Sequence, residues 1–416
     1  MSLPPQLDLT PLERATGVVF GEDPAAPRFP KATRGVSPLQ ALEEVVLPYL
    51  RRPPCLVLFS GGRDSSAVLA VAAHAARKNG LPEPVAFSLR YAVGGAAADE
   101  SAWQELVVSH LGLRDWVKVD PGEGLDPLGE IGQQVLRRHR LIFPTTPHIL
   151  VPALEAGRGG AVLTGTGGDE AFLFRSRISD VLARRVRPRP RDTARLLVAL
   201  GPVRLRATRA IRPVDTDWPW LTTHARRAFR AALAHDLGST SLRWPRELES
   251  TWRSRSFQLV LASLRLLAMD YGVDLGHPLA DPRFLAATGR DAGWHGYGDR
   301  TAAMRAIFGA LLPDAVNSRT TKATFGDSFW TEASRAFARQ WDGTGVNPEL
   351  VDVEALHELW RREECPPAPT FVLLKQAWLA ADDRAAGSQR AARPLQAPSS
   401  SSSEAAARSV RAGREG

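Results

Sequence analysis

Short apolar runs alternate with segments of helical periodicity through the N-terminal part of the chain. Residues 56–59 (Leu-Val-Leu-Phe) are continuously apolar, the pattern of a parallel strand buried on both faces. From Ser65 to Lys78 apolar residues recur at helical spacing, and Gly80 follows as a stop signal. Apolar runs at 84–90, 116–120 and 161–165 predict three more strands. Between them, Asp99-Glu100-Ser101 opens a helix running to His110, and further helices are expected near 127–138 and 146–155. Alternation of strand and helix predicts an α/β fold with a doubly wound parallel sheet. Ligands then belong at the carboxyl ends of its strands.

The flanks are patterned differently. Residues 1–52 read as an N-terminal extension, Pro-rich at first and then a short helix over 41–47, packed on the domain or partly loose. Residues 53–185 form the expected α/β core, and 186–386 a mostly helical part of helices and loops. Within that part, an amphipathic helix begins at Ala225 and stops near Gly238, and an apolar helix spans 252–268. The segment 184–212 is basic and punctuated by proline, as in Arg187-Pro188-Arg189-Pro190-Arg191. It reads as a solvated helical insertion, with a substrate cleft or an acidic partner as the sharper alternative. From Gly387 to Gly416 the composition turns to Ser, Ala, Arg and Gly, predicting a disordered tail.

Composition narrows the class. With 416 residues, 44% hydrophobic and 24% charged, the chain is built like a globular protein. No apolar run is long enough to span a bilayer. The first nine residues lack a charged and apolar leader, so a cytoplasmic location is expected. Cys55 and Cys365 are the only cysteines, too few for a disulfide framework or a Cys-rich zinc site. The net charge is +8, yet five of the 53 basic residues are lysines. Such a skew reads as coding bias, so it gives little support to a nucleic-acid partner. It also makes each lysine more informative.

Two strand ends carry candidate chemistry. The first strand breaks at Ser60-Gly61-Gly62 and the chain resumes as a helix at Ser65. Glycines let the backbone approach an anion, and N–H groups of the turn and first helical turn point at it. Ser60, Ser65 and Ser66 add hydroxyl donors, while Asp64 beside phosphates calls for a bridging cation, Mg²⁺. The fourth strand ends in Thr164-Gly165-Thr166-Gly167-Gly168-Asp169-Glu170. Read alone, Asp169 serves equally as a helix cap or as a second carboxylate for the same metal. No Gly-Lys-Ser/Thr follows the first loop, so it is not a Walker loop.

The string Ser-Gly-Gly-x-Asp-Ser after an apolar strand resembles the pyrophosphate loop of the PP-loop ATP pyrophosphatases. Together with Thr164-Gly-Thr-Gly-Gly-Asp-Glu, it is similar to the synthetase domain of asparagine synthetases, a group that includes β-lactam synthetases and lasso-peptide cyclases. Asp99-Glu100-Ser101, His277-Pro278-Leu279-Ala280-Asp281 and Arg319-Thr320-Thr321-Lys322 follow in the family's order. The resemblance implies ATP-dependent amide formation through an acyl-adenylate, releasing AMP and pyrophosphate. It places pyrophosphate at Ser60, Gly61, Gly62, Asp64 and Ser65, Mg²⁺ at Asp64 and Asp169, and adenosine at Leu58, Ser88, Thr164 and Gly165. Lys322 falls on the catalytic lysine, where a compact ammonium suits a developing oxyanion. Taken in isolation, it would read as a surface lysine.

Two departures mark the chain. Only about fifty residues precede the loop and residue 2 is Ser2, so a glutaminase domain with its nucleophilic cysteine is not expected. A separate amine donor or substrate-delivery protein is one partner this would allow. Thr166 stands where the family carries an acid or a tyrosine that helps deprotonate the attacking amine, and threonine is no base near neutral pH. Asparagine formation is the family default; a peptide or specialised-metabolite cyclase is the alternative, and a tRNA-modifying PP-loop enzyme a third. Substrates are expected to be small-molecule or peptide carboxylates and amines, with no membrane partner.

Overall fold

The computed structural model describes residues 8–90, 99–172, 177–189, 191–192, 197, 201, 217–239, 241–321 and 326–392. Its centre is a five-stranded, all-parallel sheet in the order β3-β2-β1-β4-β5. The strands are β1 (Cys55–Leu58), β2 (Val85–Leu89), β3 (Trp116–Val119), β4 (Ala161–Leu163) and β5 (Asp274–Gly276). Leu56 pairs with Val85 on one side of β1 and with Val162 on the other. The expected α/β class and parallel sheet are therefore present, with the first four strands where the apolar runs lie.

β5 was not expected, because the region after residue 186 reads as helices and loops. Its three residues, Asp-Leu-Gly, carry neither alternation nor an apolar run. The strand exists through pairing: Leu275 lies beside Val162, and the Asp274 N–H donates to Gly160 O at 3.0 Å. Tertiary contact overrides weak local propensity here.

The helices that matter below are α1 (Pro11–Thr16), α2 (Pro38–Leu50), α3 (Arg63–Lys78), α4 (Ser101–Leu111), α5 (Glu130–His139), α6 (Val151–Ala156), α7 (Gly168–Phe172), α8 (Trp244–Arg253), α9 (Arg255–Met269), α10 (Pro282–Ala292), α11 (Arg300–Phe308) and α12 (Thr370–Ala392). α3 starts at Gly62, whose backbone is extended, and carries Asp64 in its first turn and Arg77 and Lys78 in its last. That charge order suits the helix dipole. Its middle, Ala67 to Ala73, is buried on every side. The alanines among these residues let α2 and β1 pack closely on it. The single apolar helix expected over 252–268 is two, α8 and α9. Ser254 separates them with an extended backbone and accepts from the Phe257 N–H at 3.3 Å, an N-cap that ends one helix and begins the next. The C-terminal helix α12 continues through Gly387 to Ala392; residues 393–416, where most of the tail was expected, lie outside the described residues. So does much of the basic segment 184–212.

Successive residues of β1 point to opposite faces and enter different cores. Val57 joins Val68, Leu69, Leu279 and Phe308, while Leu56 joins Phe87, Leu150, Val162 and Leu264. A third, tryptophan-rich cluster gathers Trp220, Trp330, Trp341 and Trp360 with Ala15 of α1 and Leu374 of α12. The indole N–H of Trp220 donates to Ala15 O at 2.9 Å. This cluster fixes α1 of the N-terminal extension against the C-terminal helix. Among the described residues no helix is long and apolar enough to cross a membrane.

Candidate active site

Two glycine turns, one after β1 and one after β4, lie against each other at the carboxyl edge of the sheet. Gly61 has φ +86°, a conformation that favours glycine. The hydroxyls around it are largely spent on the loop itself. Ser60 Oγ is 3.1 Å from Ser65 Oγ and accepts from the Gly62 N–H at 3.3 Å. Ser66 is fully buried, its hydroxyl donating to Gly62 O at 2.8 Å. In the second turn, a Cβ on Gly165 would lie 2.9 Å from Ser65 N, and one on Gly168 would lie 2.2 Å from Asp64 Cγ. Glycine is required at these positions because the two turns touch.

A cavity of about 740 Å³ opens beside this contact, within the range of small-molecule sites. Leu58, Ser60, Gly62, Asp64, Ser65, Thr164, Gly165, Thr166 and Asp169 all line it, so most of the residues expected in the site are brought together. Three are not on its wall. Gly61 turns its carbonyl to Arg319 Nη1 at 3.1 Å. Ser66 acts within the loop. Ser88 is buried, donating to Phe59 O at 2.7 Å and accepting from Trp116 Nε1 at 3.0 Å; it ties the ends of β1, β2 and β3. Lys322 lies outside the described residues, but Arg319, Thr320 and Thr321 immediately before it line the cavity.

Asp64 and Asp169 converge, but on a guanidinium. Arg300, the first residue of α11, donates one Nη to each carboxylate. Burial pushes the Asp64 carboxyl above its ordinary range, with Arg300 pulling it back. Asp64 Oδ1 is buried without a hydrogen-bond partner. Two hard carboxylate donors with one orphaned oxygen suit a divalent cation once Arg300 yields. No cluster of three or more metal-ligating side chains occurs among the described residues.

The third element is a buried ion pair. Arg319 forms a two-pronged pair with Glu100 at 2.5 Å on each side and lies over the Trp103 ring, 4.6 Å from its centroid. Its Nε donates to Thr321 Oγ1 at 2.9 Å. Glu100 of the Asp-Glu-Ser motif and Arg319, far apart in sequence, thus meet beside the first glycine turn. The fourth is a polar chain: His277, following β5, has Nδ1 2.7 Å from Thr164 Oγ1, which is 3.0 Å from Thr166 Oγ1. Burial lowers the His277 pKa to about 4, so its ring is neutral at physiological pH. Sequence reasoning quoted His277 and Arg319 within motifs without giving either a role, and it missed Arg300 entirely. Only proximity in space distinguishes Arg300 among so many arginines.

The opposite wall of the cavity is apolar, formed by Pro144, Ile149, Leu150, Val260 and Leu264. One side of the site is thus built for charge and the other for an uncharged surface.

The asparagine synthase family model matches residues 41–381. No curated protein matches the chain significantly. The match runs from α2 into α12 and takes in both glycine turns, Arg300 and the Arg319 segment, in agreement with the resemblance read from the motifs. The chain therefore belongs to the asparagine synthase family and carries its ATP-using, ligase-type synthetase domain.

Proposed function

We propose that the protein activates a carboxylate with ATP, forming an acyl-adenylate and pyrophosphate, and then joins the acyl group to an amine with release of AMP. The observation that carries this reading is the contact between the two glycine turns, which sets Asp64, Asp169 and Arg300 around one point of the cavity wall. The backbone of Ser60 to Ser65 would receive the β and γ phosphates. Asp64 and Asp169 would hold Mg²⁺, which when bound neutralises phosphate charge and orients the leaving pyrophosphate. Arg300, released from the two carboxylates, is then free to meet phosphate oxygens with its planar fork. Leu58, Thr164 and Gly165 lie where adenosine would pack. The protein contributes mainly positioning and charge neutralisation.

Lys322 is assigned the role of neutralising the acyl oxyanion or phosphate. Replacing it with alanine should lower turnover about 10²–10³-fold, the cost of one preorganised donor; a folded Lys322→Ala variant with unchanged turnover defeats the assignment.

Aspartate amidation is the family default, but the apolar wall favours a second reading. Aspartate would bring an α-ammonium and an α-carboxylate into the cavity. Among the described residues the lining cations are Arg63, Arg300 and Arg319; Arg319 is tied to Glu100 and Arg300 would turn to phosphate, which leaves Arg63, donating to Thr301 Oγ1 at 3.4 Å, as the one of the three available to an α-carboxylate. Desolvating unpaired charge is costly, whereas an acid or amine with an apolar body would be favoured there, as a peptide or specialised-metabolite cyclisation would supply. Carboxylate-dependent ATP–pyrophosphate exchange across a panel tests both. Exchange with aspartate alone selects the default, exchange with apolar-bodied acids alone selects the second reading, and none with any acid overturns adenylation.

A further inference from the structure

The chain His277–Thr164–Thr166 has two possible senses, and they do opposite things at the cavity. If His277 carries its proton on Nε2, then Nδ1 accepts from Thr164, Thr164 accepts from Thr166, and Thr166 presents a lone pair. If the proton is on Nδ1, His277 donates to Thr164, Thr164 donates to Thr166, and Thr166 is left with its own O–H to offer. His277 Nε2 is buried and has no hydrogen-bond partner. An orphaned buried N–H is less tolerated than an orphaned lone pair, and the tautomer follows the nitrogen that has a partner. Thr164 Oγ1 then accepts from His277 Nδ1 at 2.7 Å and from the Thr166 N–H at 3.2 Å, and donates to Thr166 Oγ1 at 3.0 Å, using its full capacity.

We infer that Thr166 acts as a hydrogen-bond donor to the acyl carbonyl oxygen, its hydroxyl oriented by His277 through Thr164, and that it does not accept the proton of the attacking amine. The inference rests on the acyl-adenylate reading and deepens it. The amine lone pair forms the C–N bond as the carbonyl π pair moves onto oxygen. The Thr166 O–H stabilises that oxyanion. As the carbonyl re-forms, the bond to the AMP phosphate oxygen breaks, and the nitrogen's extra proton passes to the departing phosphate, whose second pKa near 6 suits it. Thr166 is the catalytic residue and His277 a positioning residue.

Nitrogen-15 NMR of histidine-labelled protein, with His277→Asn used to assign the ring, reads the tautomer without any substrate. Protonated Nδ1 and bare Nε2 are expected; protonated Nε2 overturns the inference. A second arm uses hydroxylamine as the amine and the panel acid that best drives exchange. Thr166→Val should slow hydroxamate formation about 10²-fold, a larger loss than in ATP–pyrophosphate exchange, and Thr166→Ser should restore it. His277→Asn keeps a donor where Nδ1 stood and should retain hydroxamate formation; His277→Phe should lose it as Thr166→Val does. Unchanged hydroxamate formation in Thr166→Val overturns the inference. Absence of exchange in the unaltered protein overturns adenylation instead, and the NMR result still judges the direction of the chain.

Discussion

At the scale of single residues, Arg300 is the side chain on which the site turns. It bridges Asp64 and Asp169 where a cation was expected from the motifs. Guanidinium and Mg²⁺ would compete for the same oxygens. Arg300→Ala should therefore bind Mg²⁺ more tightly in the absence of nucleotide, by about tenfold, the equivalent of one charge-assisted hydrogen bond of about 1.5 kcal/mol. Calorimetric titration with MgCl₂ measures this directly, and equal or weaker binding would show that Arg300 is not a competitor. Asp64 and Asp169 were legible because a carboxylate beside a glycine turn is out of place unless it has a cation to hold. Arg300 was illegible because arginine is used nearly everywhere in this chain, so nothing in its type or local pattern sets it apart.

At the scale of elements, the informative feature is how closely the turns after β1 and β4 approach. Gly165→Ala should force the two turns apart, since its Cβ would lie 2.9 Å from a backbone nitrogen that cannot move alone. A stability loss of about 1–3 kcal/mol is expected from such overpacking, with ATP affinity reduced, both measurable by urea unfolding with and without nucleotide. Stability and ATP affinity both equal to those of the parent would mean that the turns are not held in this contact. Pattern placed the first four strands because β1, β2 and β4 are apolar runs and β3, Trp-Val-Lys-Val, is rich in strand-forming residues. It could not place β5, which is three residues held by pairing alone, nor the break at Ser254, where a single hydroxyl cap interrupts an otherwise helical pattern. The resemblance placed Gly165 beside adenosine and gave Gly168 no role, yet the structure gives both a reason to be glycine in packing against Asp64 and Ser65.

At the scale of the whole molecule, α12 brings Lys375 into the interior. Its ammonium donates to Thr145 O, one residue from Pro144 and Thr146 on the cavity wall. Burial lowers the Lys375 pKa from 10.5 to about 7, and Lys375 in turn adds to the burial that holds His148 near 3. The unfolded lysine keeps its proton up to its ordinary pKa, while the folded one releases it near 7. Between those values unfolding takes up a proton, so stability rises with pH. Lys375→Met should remove that rise and gain stability relative to the parent below pH 7, provided that the Thr145 contact is worth less than the burial of charge. Urea midpoints from pH 6 to 10 test this, and parallel curves for parent and variant would refute it.

The sheet is also completed late. β5 enters only at Asp274, more than a hundred residues after its neighbour β4. On the ribosome, everything through the first four strands emerges while one flank of β4 still shows bare amides and carbonyls, an invitation to foreign strands. A nascent chain halted before residue 270 thus exposes a strand edge that the finished protein covers, with a cavity that still lacks Arg300 and Arg319.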